Sequence, residues 1–132
     1  MELIKIVDFY KSFGAKKILN GVSISVNKGE CLGLLGGSGT GKSVLLRSLI
    51  GLEKPDKGQI FFDKQNICAL KERNLVTVRK RIGYAFQGGA LFDSMTVHDN
   101  LAYPLLEHTQ LSKSQISKII SDKLALFGLA GS

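Results

Sequence analysis

Eight consecutive residues have the types and spacing needed to hold a phosphate group. They read Gly-Gly-Ser-Gly-Thr-Gly-Lys-Ser from Gly36 to Ser43 and fit the pattern G-x-x-x-x-G-K-[ST]. Glycines let the backbone N–H groups turn inward toward an anion, and the start of a following helix adds a favourable partial charge. The pattern therefore predicts a nucleotide-binding loop.

Two side chains of this loop have specific predicted roles. Lys42 supplies an ammonium group for the β- and γ-phosphates, and the hydroxyl of Ser43 suits Mg²⁺, which prefers oxygen ligands. The candidate binding residues are Gly36, Gly37, Ser38, Gly39, Thr40, Gly41, Lys42 and Ser43. The loop alone does not select a reaction, because kinases, GTPases and ATPases all hold phosphates in this way.

The segments on either side of the loop are those that the motif requires. Residues 31–35 are continuously apolar, which predicts a strand buried on both faces of a parallel sheet. A helix is predicted from Lys42 to about Ile50, with Gly51 at its C-terminal cap. The loop would thus join a buried strand to the N-terminus of a helix.

Further elements are predicted before and after this unit. Alternating apolar and polar residues indicate antiparallel strands at 3–9 and 22–26, with a turn near Gly14. The elements expected between residues 55 and 89 are a turn at 55–58, a strand at 59–63, a helix at 70–80, a strand at 82–86 and a loop at Gly88 and Gly89.

Two helices are predicted near the end of the chain. Thr96 and Asp99 form a variant capping box that starts the first helix, and Pro104 is expected to kink or end it. Ser112 and Gln115 cap the second helix. Its apolar stripe comprises Ile116, Ile119, Ile120, Leu124 and Phe127, and Gly128 supplies its stop.

Composition limits the class of protein. The chain has 132 residues, of which 44% are apolar, and a net charge of +7, as expected for one globular domain. No apolar run approaches the ~20 residues that span a bilayer, and the first residues lack the pattern of a secretory signal. A cytoplasmic location is therefore expected.

Cys31 and Cys68 are expected to be buried free thiols, because they lack metal-ligand spacing.

The positive charge is compatible with nucleic acid, anionic lipid or a phosphorylated ligand. Five basic residues cluster in one segment, namely Lys71, Arg73, Arg79, Lys80 and Arg81. No aromatic residues lie among them to stack on bases, so a solvated face is expected and nucleic acid is the weaker alternative.

The sequence resembles the ATP-binding subunits of ABC transporters. Four features occur in that family's order: an antiparallel β layer, an aromatic residue, the phosphate loop and a later Phe-Gln pair, Phe86-Gln87. The resemblance implies that ATP and Mg²⁺ are the cofactors, that Phe13 stacks on adenine, and that Gln87 ligates Mg²⁺ or holds water. Lys42 and Gln87 would be the catalytic residues. Without the resemblance, Phe13 reads equally well as a core residue at a strand end.

A narrower resemblance, to the Mla-type lipid-asymmetry ATPases, rests on residues 86–105 and on Gly37, where many ABC proteins carry proline. It implies phospholipid or other hydrophobic-substrate transport at the cytoplasmic face of a bacterial inner membrane. It also implies two partners, a second ATP-binding subunit and a membrane subunit, and no nucleic acid.

The region from Ala90 to Tyr103 would bind the membrane subunit. Within it, residues 90–95 would line the surface that receives a helix of that subunit. The alternative is that Leu91, Phe92 and Met95 pack beneath their own loop.

The resemblance also implies a fold. It is an α/β P-loop NTPase of ABC ATPase type, with an antiparallel β layer, a partial parallel core sheet and the start of a helical subdomain. Residues 1–30 would form the β layer, 31–87 the core from the phosphate loop to Gln87, and 88–132 the helical segment. The C-terminal half of such a domain is expected to be absent, because the LSGGQ-type signature, the Walker B run and the switch histidine do not occur.

Three residues or segments could be mistaken for those motifs. Residues 111–115 lack the two glycines of the signature and are interpreted as a helix cap, while His98 and His108 follow no Walker B pattern and are expected at the surface. The chain is therefore expected to bind MgATP without hydrolysing it. Residues 32–35 would be an apolar strand edge that favours self-association.

Other functions remain open at this point. Within the family, they are transport of another substrate, or a soluble ABC protein that acts on ribosomes or DNA. A non-catalytic regulatory nucleotide-binding module is an alternative of a different class. A P-loop kinase or GTPase is a further alternative, although no Asn-Lys-x-Asp run is present to specify guanine.

Overall fold

The structure is a computed structural model that describes residues 1–131. Its elements are, in chain order, β1 (Glu2–Phe13), β2 (Lys16–Asn27), α1 (Lys42–Leu49), β3 (Lys57–Phe62), β4 (Gln65–Asn66), a 3₁₀ turn (Ile67–Ala69), α2 (Glu72–Arg79), α3 (Val97–His108) and α4 (Lys113–Leu126). The chain divides into two compact units, one from Met1 to Tyr84 and one from Ala85 onward.

The first unit is built on an antiparallel sheet with the strand order β2-β1-β3-β4. β1 and β2 form a long hairpin that turns at Gly14, whose φ is +58°, and pairs Phe13 with Lys16. The strands are longer than the predicted 3–9 and 22–26, because ladder hydrogen bonds continue through polar residues that show no alternation. The third strand also begins earlier than predicted, at Lys57.

One hydrophobic core holds the first unit together. Phe9 of β1 and Ile60 of β3 are almost completely buried, and Leu45 places α1 against them. The other buried core residues are Ile6, Phe62, Ile67, Leu75 and Val78. α1 buries Leu45 and Ser48, and α2 buries Leu75 and Val78. Both helices are only eight residues long, so tertiary packing rather than helix length stabilises them.

The apolar segments 31–35 and 82–86 do not form strands, so their predicted assignment is wrong for residues 1–131. Leu34 and Ile82 pack against the core, but Leu35 is 98% exposed. A strand requires a neighbour for its backbone hydrogen bonds, and every ladder within the described residues joins β1, β2, β3 and β4. Leu32 and Leu35 are exposed, so residues 32–35 remain a predicted site of self-association.

The expected burial of both cysteines is wrong for Cys31, which is exposed, whereas Cys68 is partly buried. Burial raises the pKa of the Cys68 thiol. Because the thiolate is the reactive form, we expect a maleimide to modify Cys31 rapidly in the folded chain and Cys68 only slowly. Mass spectrometry should show one rapidly added maleimide on the folded chain, and Cys31→Ser should remove it. The unfolded chain should add two maleimides. Two fast additions to the folded parent would contradict this expectation.

The basic cluster is not a uniformly solvated face. The Nε of Arg79 donates to the Ile50 carbonyl over 2.8 Å, and its guanidinium also bonds Glu72. Arg81 bonds the Asp63 carboxylate over 2.7 Å. These two arginines therefore connect elements of the first unit, while the other three side chains of the cluster are exposed.

The second unit is a pair of helices, α3 and α4, around buried Ala102, Ile116 and Ile120. The predicted caps are confirmed: Thr96 accepts from the Asp99 N–H, and Ser112 and Gln115 form a reciprocal capping box. Residues 111–115 therefore include a helix cap, as interpreted from sequence.

Two details of this unit differ from the expectations. α3 continues through Pro104 to His108, so the proline does not end it. Phe127 is 79% exposed, because it is the C-cap residue with non-helical backbone angles and leaves the apolar stripe. Gly128 follows with a φ of +70° and supplies the predicted stop.

The helices within residues 1–131 are too short or too polar to cross a membrane.

Candidate functional site

The glycine-rich loop leads directly into α1 and is shaped by two left-handed glycines. Gly39 has a φ of +72° and Gly41 a φ of +98°, conformations that residues with a Cβ rarely adopt. At Gly36, a Cβ would lie only 2.8 Å from Oγ1 of Thr40. Residues 36–43 therefore form a cradle, in which a side chain at position 36 would clash with Thr40.

Gly41 also connects the loop to the β hairpin. A Cβ at this position would lie 2.7 Å from Cγ2 of Ile18 and 2.9 Å from Cδ2 of Leu19. Leu19 on β2 pairs with Lys11 on β1, and Lys11 precedes Phe13 by two residues. Close packing at Gly41 thus brings the start of α1 against the β1–β2 hairpin. In this hairpin, β1 ends at Phe13, the candidate residue for stacking on adenine.

Lys42 turns its side chain back into the loop. Its Nζ donates to the carbonyls of Gly36 and Gly37, each over 2.6 Å, and lies 3.4 Å from Oγ1 of Thr40. Thr40 in turn donates its hydroxyl to the Gly37 carbonyl over 2.8 Å. The ammonium group is therefore held within the cradle by the backbone of the same loop.

The N-terminus of α1 offers hydrogen-bond donors beside this ammonium group. Gly41 is the N-cap residue, and no side chain of the described residues caps the helix there. The first N–H groups of a helix have no partner within it, so they remain available to an anion. Ser43 is exposed in the first turn of α1. This donor set fits the phosphate groups of a nucleotide and one hydroxyl ligand for Mg²⁺.

Phe13 ends β1 and is 48% exposed. The ammonium group of Lys11 lies 5.2 Å from the centre of its ring. Phe13 is therefore not a core residue of the first unit, which disfavours the alternative interpretation. An exposed ring remains able to stack on a planar base.

Gln87 belongs to the second unit and lies in an exposed turn after Phe86. Its role at Mg²⁺ or water therefore stays a prediction.

His98 and His108 are exposed on α3, as expected. His98 lies 3.3 Å from the Ser117 hydroxyl and 3.5 Å from the Asp99 carboxylate. The Thr96 hydroxyl lowers the pKa of that carboxyl below its usual value, and His98 adds to the effect.

The surface from Ala90 to Tyr103 carries several exposed apolar side chains. Leu91 is 75% exposed, and the rings of Phe92 and Tyr103 meet edge to face with centres 5.5 Å apart. Met95 is also exposed. These side chains are not enclosed by their own loop within the second unit, which disfavours the alternative that they merely pack beneath it.

Asn100 holds this loop on α3. Its Oδ1 accepts from the Phe92 N–H over 2.8 Å, and its Nδ2 lies within hydrogen-bond distance of the carbonyls of Phe92, Met95 and Thr96. One amide side chain therefore lies within hydrogen-bond distance of four backbone groups of residues 92–96, and the two hydrogens of its Nδ2 are shared among three carbonyls.

Asn100→Ala is expected to loosen this loop without unfolding the helices. Loss of the shared hydrogen bonds should cost about 1–2 kcal/mol of local stability and accelerate amide exchange at Phe92 roughly 5- to 30-fold. Hydrogen exchange followed by NMR measures this directly. Gln110→Ala, at an exposed position between α3 and α4, is the matched control and should leave Phe92 unchanged. Equal exchange rates in the two variants would contradict the role given to Asn100.

Sequence reasoning did not identify Lys11 and Asn100. A signal for Lys11 existed, since residues two apart on a strand share a face and Lys11 precedes Phe13 by two. Asn100 had no comparable signal, because its partners lie four to eight residues earlier in an irregular loop.

Comparison with known proteins agrees with this geometry. A family model described as ABC transporter matches residues 19–130. The chain is 46% identical to the "Probable ribonucleotide transport ATP-binding protein mkl" of Mycobacterium tuberculosis, over 97% of this chain and 36% of that protein. It is 43% identical to the "Intermembrane phospholipid transport system ATP-binding protein MlaF" of Escherichia coli, over 98% of this chain and 48% of that protein.

Solved structures show the same relationship. The ATP-binding cassette MJ0796, in a dimer bound to ADP and Pi, superposes with a TM-score of 0.88 at 26% identity, over 98% of this chain and 59% of that chain. The chain spans between about a third and a half of the length of the curated relatives named above. The α/β fold of an ABC ATPase that the resemblance implies is confirmed, but its expected partial parallel core sheet is not found within residues 1–131, where every ladder is antiparallel. The chain belongs to the ABC transporter family.

Proposed function

We propose that these residues form the nucleotide-binding part of an ATP-binding subunit that powers transport of a phospholipid or another hydrophobic substrate. The observation that carries the proposal is the cradle in front of α1. There, the Lys42 ammonium group lies 2.6 Å from two loop carbonyls, beside a helix N-terminus without a side-chain cap. A polyphosphate placed there would accept hydrogen bonds from both kinds of donor.

In this proposal the cradle holds the phosphates of MgATP. Backbone N–H groups of residues 36–43 would orient the phosphate chain, Lys42 would bind its β- and γ-phosphates, and the Ser43 hydroxyl would complete the Mg²⁺ site. The metal ion, when bound, offsets phosphate charge. Phe13 would stack on adenine, and Gln87 would contribute an amide oxygen to Mg²⁺ or hold a water molecule.

The transported substrate is proposed from the relatives. The E. coli relative is named for intermembrane phospholipid transport, which supports a phospholipid substrate. The mycobacterial relative is named for ribonucleotide transport, which supports the alternative of another substrate. Both names are those of ATP-binding proteins associated with transport. The proposed location of this chain is the cytoplasmic face of the inner membrane, where ATP is available.

The exposed surface at residues 90–103 is the proposed contact for a membrane subunit. Leu91, Phe92 and Tyr103 present apolar area there, and Asn100 fixes the loop that carries two of them. Apolar area flanked by polar residues is typical of a protein interface. A second ATP-binding subunit is the other proposed partner, by likeness to the dimeric cassette MJ0796.

We further propose that these 132 residues bind MgATP without turning it over. Hydrolysis requires a group that orients the attacking water and further charge on the γ-phosphate. Lys42 and Gln87 are the catalytic candidates. Gln87 could hold a water molecule, but neither residue is a carboxylate that could accept the proton of that water. A non-catalytic regulatory module would show the same behaviour and remains the second candidate function.

Calorimetric titration of the chain with MgATP and MgGTP, followed by measurement of released phosphate, tests the proposal. We expect saturable binding of MgATP, weaker binding of MgGTP and no phosphate release above that of a Lys42→Ala control. Stronger binding of MgGTP would favour a GTPase. Phosphate release that Lys42→Ala abolishes would contradict binding without turnover, and absence of MgATP binding would contradict the proposal as a whole.

A further inference from the structure

Lys11 is unusually buried for a lysine and lies at the centre of a small polar cluster. Its side chain is only 14% exposed, and its Nζ donates to the Lys54 carbonyl over 2.7 Å. The carboxylates of Glu53 and Asp56 lie 3.6 and 3.9 Å from the same nitrogen. Three oxygen groups of the segment between α1 and β3 therefore fix the position of one ammonium group.

The same ammonium group lies over the ring of Phe13, 5.2 Å from its centre. This distance is within the range of a cation–π interaction, in which a positive charge is attracted to the electron-rich face of a ring. Lys11 and Phe13 are two residues apart on β1, so both side chains project from one face of the strand. The ring keeps nearly half of its surface exposed.

Two further hydrogen bonds tie the end of β1 to the segment that holds Lys11. The Ser12 N–H donates to the Asp56 carboxylate over 2.7 Å, and the Asp56 N–H donates to the Tyr10 carbonyl over 2.8 Å. Residues 10–13 are thus anchored on both sides of Lys11. The segment that follows α1 is thereby linked to the aromatic ring at the end of β1.

We propose that Lys11 is a positioning residue for nucleobase recognition: it holds the Phe13 ring in place and polarises it, so that a purine stacks on the ring's exposed surface. This inference rests on the proposed function, in which Phe13 contacts adenine. The cation draws π-electron density toward itself, which lowers the repulsion between the ring and the electron-rich face of a base.

Direct attraction of the nucleotide's phosphates would be a different role for the same charge. The two carboxylates beside Lys11 largely offset its charge toward a distant anion. The two roles also predict different results. Positioning affects only ligands that carry a base, whereas phosphate attraction affects a nucleotide and a bare polyphosphate equally.

The test compares the affinities of the chain for MgATP and for Mg²⁺-tripolyphosphate, which lacks the base. We expect Lys11→Met to lower the ratio of the two affinities about two- to fivefold and Lys11→Arg to retain most of it. Lys17→Met is the matched control, because it removes an exposed charge opposite Ser12 in the same hairpin. It should leave the ratio unchanged.

A second measurement separates positioning from general loss of stability. In a Phe13→Leu background, Lys11→Met should cause no further loss of the ratio, since the ring through which Lys11 acts is gone. An equal decrease for both ligands in Lys11→Met, or the same loss in the Phe13→Leu background, would overturn the inference while leaving the proposed function intact. Failure of the parent chain to bind MgATP would overturn both.

Discussion

Lys42→Ala is expected to lower the affinity for MgATP roughly 10- to 150-fold while leaving the fold intact. The Nζ of Lys42 is held in the phosphate cradle by the carbonyls of Gly36 and Gly37 at 2.6 Å. A bound polyphosphate would receive charge-assisted hydrogen bonds from this group, and losing them costs about 1.5–3 kcal/mol, roughly 10- to 150-fold in affinity. Calorimetry with MgATP measures the change.

Arg47→Ala is the matched control for this variant. Arg47 is an exposed cation in the last turn of the same helix, so its removal changes net charge equally without changing the cradle. We expect its affinity for MgATP to stay close to that of the parent. If the two variants bound MgATP equally well, the assignment of the cradle as the nucleotide site would be wrong. Circular dichroism of both variants checks that α1 is retained.

Gly58→Ala is expected to cause the largest loss of stability of any single substitution considered above. Gly58 has a φ of +104°, and a Cβ there would lie 2.3 Å from the Asp8 carbonyl oxygen and 2.6 Å from that of Val7. These are backbone atoms of a neighbouring strand at the register shift between Val7 and Tyr10, so they cannot rotate away. The backbone strain and the displacement of β1 together should cost about 3–4 kcal/mol.

Denaturant unfolding of the parent, Gly58→Ala and Gly83→Ala measures this effect. Gly83 provides the comparison because a Cβ at that position meets nothing within 4 Å. We expect Gly83→Ala to change the free energy of unfolding by less than about 0.5 kcal/mol, as for other surface substitutions. A Gly58→Ala protein as stable as the parent would show that β1 and β3 do not meet closely at this bulge.

Local signals in the sequence predicted much of the structure around the candidate site. The G-x-x-x-x-G-K-[ST] spacing located the turn into a helix that begins at Lys42, as observed. The caps at Thr96 and Ser112 and the glycine stop at Gly128 were also confirmed. These features depend on hydrogen bonds and backbone angles within a few residues, so a short stretch of sequence is sufficient to specify them.

Other features depended on partners far away in the chain. Residues 31–35 have the composition of a buried strand. A strand forms only where another backbone pairs with its hydrogen-bonding groups, and residues 1–131 supply no neighbouring strand to this segment. Cys31 is exposed for the same reason. Composition indicates that a segment can be buried, but only the neighbouring elements determine whether it is.

The sequence by itself thus determined the phosphate-loop motif and the helix that follows it and, through their combination with Phe13 and the Phe86-Gln87 pair, the resemblance to the ABC transporter family. The tertiary structure alone placed Gly41 against β2 and brought Glu53, Lys54 and Asp56 around Lys11. These contacts join residues more than 20 positions apart. Their formation depends on how the sheet folds back on itself, which a periodic pattern within one segment cannot encode.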